Sequence, residues 1–313
     1  MFERLNTGFN AVFKPERLTL GLVAPVESYA ISALPTMKNH VQHIQLAESL
    51  GFECIWLRDI PFNVPTFGDV GQMYDPFAYL GFLAASTSTI NLGVASLILP
   101  LRHPAHIAKA AASVDALSNG RLLLGVASGD RPEEYPALNM SYEDRGTRFR
   151  QSIDYIRRMG DNAPEFQSVQ GKVSGGMDML PKPAGTRLPL LITGGSQQNP
   201  AWVAEHADGW ITFPRGIAQQ AGAVAEFQRN VESAGQRAKP VMQSLYIDLV
   251  ENPDYPAQPI HLGFRSGVNA LRQYLQSIEQ VGVNHVALNL RFNQMDIDTT
   301  LHHLADHVLP DFA

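Results

Sequence analysis

The stretch RLLLGVASGDRPEEY, Arg121 to Tyr135, combines a buried strand with groups that can do chemistry. It runs from apolar residues directly into Ser128, Gly129 and Asp130. A site that holds a ligand and moves a proton can be built from a hydroxyl, a small residue that permits close approach and a carboxylate. These three residues are therefore the first candidates for a functional site.

A second candidate is the segment LLITGGSQQNP, in which Gly194, Gly195 and Ser196 follow an apolar run and a helix is predicted to begin near Pro200. Glycines let a ligand approach the backbone, and free N–H groups at a helix start favour anions. The pattern predicts a phosphate site, although an ordinary turn between a strand and a helix is the alternative. The segment GFRSG, residues 263–267, is a competing phosphate site.

Two arginines could add positive charge to such a site. Arg145 and Arg148 are three residues apart in YEDRGTRFRQSIDYIRRM, so both can extend from one face of a helix near its start. They could clamp an anion, or they could pair at the surface with Glu143 and Asp144, which is the more frequent arrangement.

The elements that must position these residues repeat in a simple order. Eight short apolar runs begin near Leu18, Cys54, Ile90, Arg121, Leu188, Gly209, Ser244 and His285, and most are separated by stretches with helical spacing. Near-continuous apolar strands with helical crossovers predict a parallel sheet covered by helices, and eight such units predict a TIM barrel. A doubly wound sheet is the alternative, weakened by the absence of a Gly-x-Gly-x-x-Gly motif after the first strand.

In a TIM barrel the carboxyl ends of the strands form the active face. The other strand ends also carry polar residues, namely Glu27, Arg58, Asp59, Ser96, Arg215 and Arg291. We expect one domain over residues 1–313. Residues 160–188, rich in Gly and Pro, are predicted to be an insertion between strands four and five and a lid over the site.

Composition excludes several classes of function. The net charge of −6 argues against a nucleic-acid partner, and the single cysteine, Cys54, excludes an internal disulfide framework. No apolar run reaches membrane-spanning length, and the start of the chain lacks the apolar core of a signal peptide. A cytoplasmic protein without a membrane partner is expected. No metal site is predicted, because His and carboxylate residues do not cluster at the strand ends.

With these residues placed, the chain resembles the bacterial-luciferase-like family of flavin-dependent oxidoreductases, which are TIM barrels. The resemblance covers roughly residues 18–310. It is carried by GFECIWLRD, by INLGVASLILPLRHPAHIAKAAASVDALSNGRLLLGVASGD, by EDRGTRF and by PLLITGGSQQNPAWVAEHADGWITF.

The resemblance implies roles for particular residues. The Gly-Gly-Ser segment and Arg145 match positions that contact the flavin phosphate in relatives, which favours that segment over GFRSG. Ala95-Ser96 matches a non-prolyl cis peptide bond beneath the flavin ring, and Ser128 and Gly129 lie at a position near the ring. A cis bond between Ala95 and Ser96 is therefore expected.

The sequence departs from the luciferases at one position. Asp59 is followed by Ile60, where luciferases carry a histidine base. General acid or base chemistry would then depend on Asp59, Asp130 or a bound water. Asp59 could equally pair with Arg58 or Arg215. Arg291 is expected to contact the substrate.

The resemblance implies an oxidoreductase that uses reduced FMN and O2 to oxidise a small organic substrate, supplied with reduced flavin by a separate reductase. Relatives are often homodimers. A deazaflavin-dependent hydride-transfer enzyme is the first alternative, because the same superfamily uses both cofactors. A flavin-binding barrel without turnover is the second, suggested by Ile60, and a metal-dependent hydrolase is the third.

Overall fold

A closed barrel of parallel strands forms the centre of the molecule. The computed structural model describes residues 1–67 and 71–312. Its strands are β1 Thr19–Val23, β2 Cys54–Leu57, β3 Asn91–Ile98, β4 Leu122–Ala127, β5 Phe166–Ser168, β6 Gly171–Val173, β7 Leu190–Thr193, β8 Gly209–Thr212, β9 Val241–Leu249, β10 Gln258–Ile260, β11 Gly263–Ser266 and β12 His285–Asn289. Eight of them pair in the ring β1-β2-β3-β4-β7-β8-β9-β12, and β12 returns to β1. The predicted TIM barrel is confirmed, with all eight predicted strands.

Helices surround this ring. They are α1 Thr7–Val12, α2 His40–Ser49, α3 Pro76–Ser86, α4 Pro104–Leu117, α5 Glu134–Ala137, α6 Arg145–Met159, α7 Pro200–His206, α8 Ile217–Ser233, α9 Val268–Gln280 and α10 Ile297–His307. Leu271, Leu275 and Ile278 form an apolar stripe on α9 and are fully buried. Within the described ranges, no helix is both long enough and apolar enough to cross a membrane.

The inside of the barrel is filled by large side chains opposite glycines. Trp56 of β2 is fully buried, and a Cβ at Gly93 of β3 would lie 2.3 Å from its ring. A Cβ at Gly21 of β1 would lie 2.8 Å from Nε2 of His285. These glycines are required by the volume of the neighbouring rings, since no side chain fits in the remaining space.

The amino-terminal end of the barrel is closed by α1, which the sequence interpretation did not predict. Phe9 and Phe13 pack with Trp56 and Met242 in one apolar cluster. The hydroxyl of Thr19 donates to the Val12 carbonyl at 2.6 Å and ties the helix to β1. This end of the barrel interior is therefore apolar and filled.

Residues 160–188 pack against α4, and their role as a lid over the site stays a prediction. Their hairpin, β5 and β6, lies beside the start of α4, where the Gln170 carbonyl is 2.9 Å from a ring nitrogen of His103. Further along, the Ala184 N–H donates to Asp115 at the other end of α4, at 2.8 Å. The segment thus runs along the outside of α4, held by hydrogen bonds at both ends.

The segment GFRSG also differs from its interpretation as a phosphate loop. Residues 263–266 form β11, which pairs with the end of β9 and with β10. A Cβ at Gly263 would lie 1.8 Å from the Tyr246 carbonyl oxygen. This glycine is explained by close strand packing, so it gives no support to an anion site there.

Candidate functional site

The carboxyl end of β3 carries the cis peptide bond that the sequence predicted. The bond between Ala95 and Ser96 is cis, and the pairing of β3 with β4 shifts register between Val94 and Leu97. The Ser96 hydroxyl forms a short hydrogen bond with the hydroxyl of Thr193 at the end of β7. This contact joins the predicted flavin-ring segment to the predicted phosphate turn.

The Gly-Gly-Ser turn follows β7 with an unusual backbone. Gly194, Ser196 and Gln197 have φ values of 54°, 43° and 62°, in the left-handed region that glycine adopts most readily. Gly194 N–H donates to Ile211 and Gln198 N–H to Gly195. The N–H groups of the three residues between them donate to no other described residue, so the turn offers backbone donors to an anion.

Two details of this turn correct the sequence interpretation. The Ser196 hydroxyl donates to the Thr193 carbonyl at 2.8 Å, so its proton is not available to donate to a ligand. The side chain of Asn199 caps α7 by accepting from the Trp202 N–H at 2.8 Å. The Ser196 proton and the Trp202 N–H are therefore engaged within the chain, whereas the N–H groups of residues 195–197 are not bonded to described residues.

Arg145 is the first residue of α6, as predicted, and its guanidinium is only partly satisfied. The group lies 3.7 Å from the centroid of the Tyr142 ring, and Nη1 donates to the Tyr142 carbonyl at 2.9 Å. Nε is buried and has no hydrogen-bond partner in the described part of the chain. A buried guanidinium N–H without an acceptor is costly, and a bound anion would remove that cost.

The start of α6 lies directly against the Gly-Gly-Ser turn. The Gln198 amide donates to the carbonyl of Gly146, the neighbour of Arg145, at 2.8 Å. A Cβ at Gly146 would lie 2.8 Å from the Cβ of Gln197. The structure therefore brings together the arginine and the turn that the sequence placed in one phosphate site.

The residues after β4 have different environments. Ser128 is buried, and its carbonyl accepts a short hydrogen bond from the hydroxyl of Tyr135. Gly129 has φ 79°, and a Cβ there would lie 2.9 Å from the same hydroxyl. Gly129 is thus required by backbone conformation and by packing. Asp130 is exposed at this edge.

Asp59 is held in a structural ion pair, and its partner is neither of the two arginines that the sequence suggested. Arg102 donates to both carboxylate oxygens, with Nη2 2.9 Å from Oδ1, and the Ile98 N–H donates to Oδ2 at 2.9 Å. Burial raises the pKa of Asp59, and Arg102 opposes this shift. With its oxygens engaged by Arg102 and Ile98, Asp59 fixes the end of β3, and its role as an acid or base stays a prediction.

Arg291 lies on the other side of the same face, after β12. Its guanidinium is 5.1 Å from the centroid of Tyr29 and 5.3 Å from that of Phe292, and Nη2 is 3.3 Å from the Ser32 carbonyl. Aromatic rings and a cation therefore line this part of the active face.

Glu134 is a titratable group that the sequence interpretation missed. Its carboxylate is buried, and neither oxygen has a hydrogen bond of normal geometry with a described residue. Arg131 is the nearest cation, with Nη1 4.0 Å from Oε1. Burial raises the pKa of Glu134 to about 7, and Arg131 and the Phe62 N–H oppose this only in part. In the sequence, this buried group is indicated only by the two adjacent glutamates of RPEEY, and the sequence cannot show which of the two is buried.

The barrel defines the class of fold, a TIM barrel, and its carboxyl end carries the candidate site residues. The family model of luciferase-like monooxygenases matches residues 15–253. The chain therefore belongs to the luciferase-like monooxygenase family. This family comprises flavin- and F420-dependent oxidoreductases and monooxygenases, so the chain is an oxidoreductase.

Two curated proteins of Mycobacterium tuberculosis are among its relatives. The uncharacterized protein Rv0953c is 32% identical over 189 residues, which cover 55% of this chain and 67% of that protein. An F420-dependent hydroxymycolic acid dehydrogenase is 28% identical over 231 residues, covering 71% of this chain. The match spans 60% of the dehydrogenase's own length.

Solved structures show the same fold at low identity. Monooxygenase RslO1 from Streptomyces bottropensis superposes with a TM-score of 0.79 at 18% identity, covering 94% of this chain and 100% of that one. The oxygenating constituent of 3,6-diketocamphane monooxygenase from Pseudomonas putida, in complex with FMN, superposes with a TM-score of 0.73 at 12% identity. That superposition covers 95% of this chain and 99% of the other.

Proposed function

We propose that this oxidoreductase binds reduced FMN at the carboxyl end of the barrel and uses O2 to oxidise a small organic substrate. The observation that carries the proposal is the buried Nε of Arg145, which lacks an acceptor in the described part of the chain; the next residue, Gly146, contacts a turn with spare backbone N–H groups. A phosphate is the anion that suits this donor set. The hydrogen bond between the Ser96 and Thr193 hydroxyls links the turn to the cis peptide segment.

In this proposal different residues bind different parts of the cofactor. Arg145 and the N–H groups of Gly195 and Ser196 hold the phosphate, while Ala95 and Ser96 support the ring and Ser128 lies near it. When bound, the cofactor supplies the redox chemistry, as is usual for cofactor enzymes. The chain supplies orientation, electrostatics and protection from water.

Proton transfer and substrate contact fall to other residues of the same face. Asp130 is the exposed carboxylate after β4 and is proposed to exchange protons with substrate or water. Asp59 acts indirectly, because its bond to the Ile98 N–H holds β3 in place. Arg291, with Tyr29 and Phe292 beside it, is proposed to contact the substrate.

Hydride transfer with the deazaflavin F420 is the second candidate. It is favoured by the 28% identity to a protein named as an F420-dependent dehydrogenase. The phosphate site described above suits either cofactor, because both carry a phosphate on a chain attached to the ring. A flavin-binding barrel without turnover is the third candidate.

The test is an anaerobic titration of the protein with reduced FMN, oxidised FMN and F420, followed by absorbance and fluorescence. The proposal predicts that reduced FMN binds most tightly. Preferred binding of F420 would assign the chain to hydride transfer, and no binding of any of the three would contradict both. Turnover of test substrates above the rate of free reduced FMN distinguishes an enzyme from a binding protein.

A reductase partner is part of the proposal. If reduced FMN arrives from a separate protein, the purified chain alone should oxidise NADH no faster than free FMN does, and adding a flavin reductase should support turnover. Rapid NADH oxidation by the chain alone would contradict this. The expected homodimer is tested by sedimentation.

A further inference from the structure

A second cavity lies at the opposite end of the barrel from the proposed cofactor site. It has a volume of about 720 Å³ and opens beside the amino-terminal ends of β7, β8 and β9. Its walls come from α6, from the end of α7, from residues 3–9 and from residues 236–240. This volume falls in the range of small-molecule sites, roughly 300 to 1,000 Å³.

The floor of the cavity is a satisfied ion-pair network. The buried carboxylate of Asp208 contacts Arg157 at 2.5 Å and Arg187 at 2.8 Å, and it accepts from the Leu190 N–H at 2.8 Å. Arg187 also pairs with Glu3 at 2.7 Å. The arginines therefore neutralise the buried carboxylate, which lowers the electrostatic barrier to an anion entering above it.

Three further cations line the cavity without a carboxylate partner in the described ranges. The Lys239 ammonium donates to the carbonyls of Ala204 and Glu205, at 2.6 and 3.2 Å, which leaves one N–H for a ligand. Arg150 and Arg237 are exposed at the rim. Burial lowers the pKa of Lys239 to about 8, so this ammonium lacks the stabilisation that an anion would provide.

The other acidic residues of the wall already have partners. Asp154 pairs with Arg158 at 3.0 Å, and the Glu205 carboxylate is 3.8 Å from His206. The rings of His206 and Trp202 stack with centroids 4.2 Å apart and add an apolar surface. The cavity thus offers cations from two separate elements, α6 and the segment before β9, together with an aromatic wall.

We propose that this cavity binds a small organic anion with at least two negative charges, carried as phosphate or carboxylate groups. One negative charge would contact Lys239 and Arg237, and a second would contact Arg150, so the ligand needs at least two. The site is separate from the proposed cofactor site and does not depend on it, because the two lie at opposite ends of the strands.

The experiment is a calorimetric titration of the full chain with pyrophosphate and, separately, with citrate, at an ionic strength held constant with NaCl. Saturable binding of either is expected, and a preference between them identifies the anionic group of the ligand. Replacing both rim arginines, as Arg150→Ala with Arg237→Ala, should weaken binding about tenfold or more. These exposed side chains can be removed without opening the core.

Two controls locate the site. Arg229→Ala removes an exposed arginine of α8 that does not line the cavity, and it should leave the affinity unchanged. Arg145→Ala disables the proposed phosphate anchor, so the binding that remains in this variant reports the cavity and should still weaken when both rim arginines are replaced. The proposal is overturned if neither anion binds with a Kd below about 10 mM, if Arg145→Ala abolishes all binding, or if Arg229→Ala weakens binding as much as the double variant does.

Discussion

The two ends of the barrel interior use buried polar groups in opposite ways. At the amino-terminal end, His285 is fully buried, and both ring nitrogens have partners: Thr19 at 2.7 Å and the Trp56 indole at 2.8 Å. At the carboxyl end, Arg145 Nε is buried without a hydrogen-bond partner in the described ranges, and the Glu134 carboxylate is buried without a hydrogen bond of normal geometry. Buried polar groups are normally paired, so the first end stabilises the fold, while the second is the end at which we propose a ligand.

The largest expected effect is a loss of stability caused by a substitution at the amino-terminal end of the barrel interior. Trp56→Ala removes a fully buried ring and leaves Nε2 of His285 without its donor, so we expect a loss of about 3 to 5 kcal/mol in the free energy of unfolding. Urea denaturation at neutral pH measures it. Trp202→Phe, at a half-buried ring on α7, should cost far less, and equal losses would show that this end has no special role.

At the carboxyl end, Arg145→Ala should change binding rather than stability. A charge-assisted hydrogen bond contributes about 1.5 to 3 kcal/mol, so the affinity for reduced FMN should fall about 10- to 100-fold. Titration of the variant under anaerobic conditions measures this. Arg148→Ala, three residues along the same helix, is the matched control and should retain the native affinity.

The histidine at the amino-terminal end predicts a pH dependence of stability. Burial lowers the pKa of His285 to about 3, against about 6.5 in the unfolded chain. Between these values the unfolded state binds one more proton, so the free energy of unfolding falls by up to about 1.4 kcal/mol for each unit that the pH drops below 6.5. His285→Gln should flatten this slope, whereas His302→Gln, at an exposed site, should preserve it.

The glutamate at the other end predicts a slope of opposite sign over a narrower range of pH. Because burial raises the pKa of Glu134 to about 7, the folded state binds more protons than the unfolded state from about pH 4.5 to 7. Its contribution to stability is present below this window and is lost as the pH rises through 7. Glu134→Gln should therefore stabilise the protein at pH 8, as measured by thermal unfolding. An identical gain from Glu133→Gln, at the exposed neighbour, would contradict this.

Much of the fold could be predicted because long apolar strands and amphipathic helices leave a periodic pattern. The eight barrel strands follow from their apolar runs, and Arg145 lies at the start of α6, as the sequence interpretation expected. The elements that it missed are short: α1 has six residues, and β5 and β6 have three each. Segments of this length carry too few positions to show a period, and tertiary contacts decide their structure.

For the candidate site, the sequence predicted the positions of the residues better than the contacts that they make. The cis bond between Ala95 and Ser96 and the proximity of Arg145 to the Gly-Gly-Ser turn agree with expectation. The ion pair between Asp59 and Arg102 spans 43 positions of the sequence, and the hydrogen bond between Ser96 and Thr193 spans 97. Such pairs depend on which strand ends become neighbours, which local sequence does not encode.

The most direct test of the central claim is a crystal structure of the chain with FMN bound. The account predicts a phosphate oxygen within about 2.7 to 3.2 Å of Arg145 Nε, with further phosphate contacts to the N–H groups of Gly195 and Ser196. A phosphate bound instead at residues 263–267, or in the cavity beside Lys239, would contradict it.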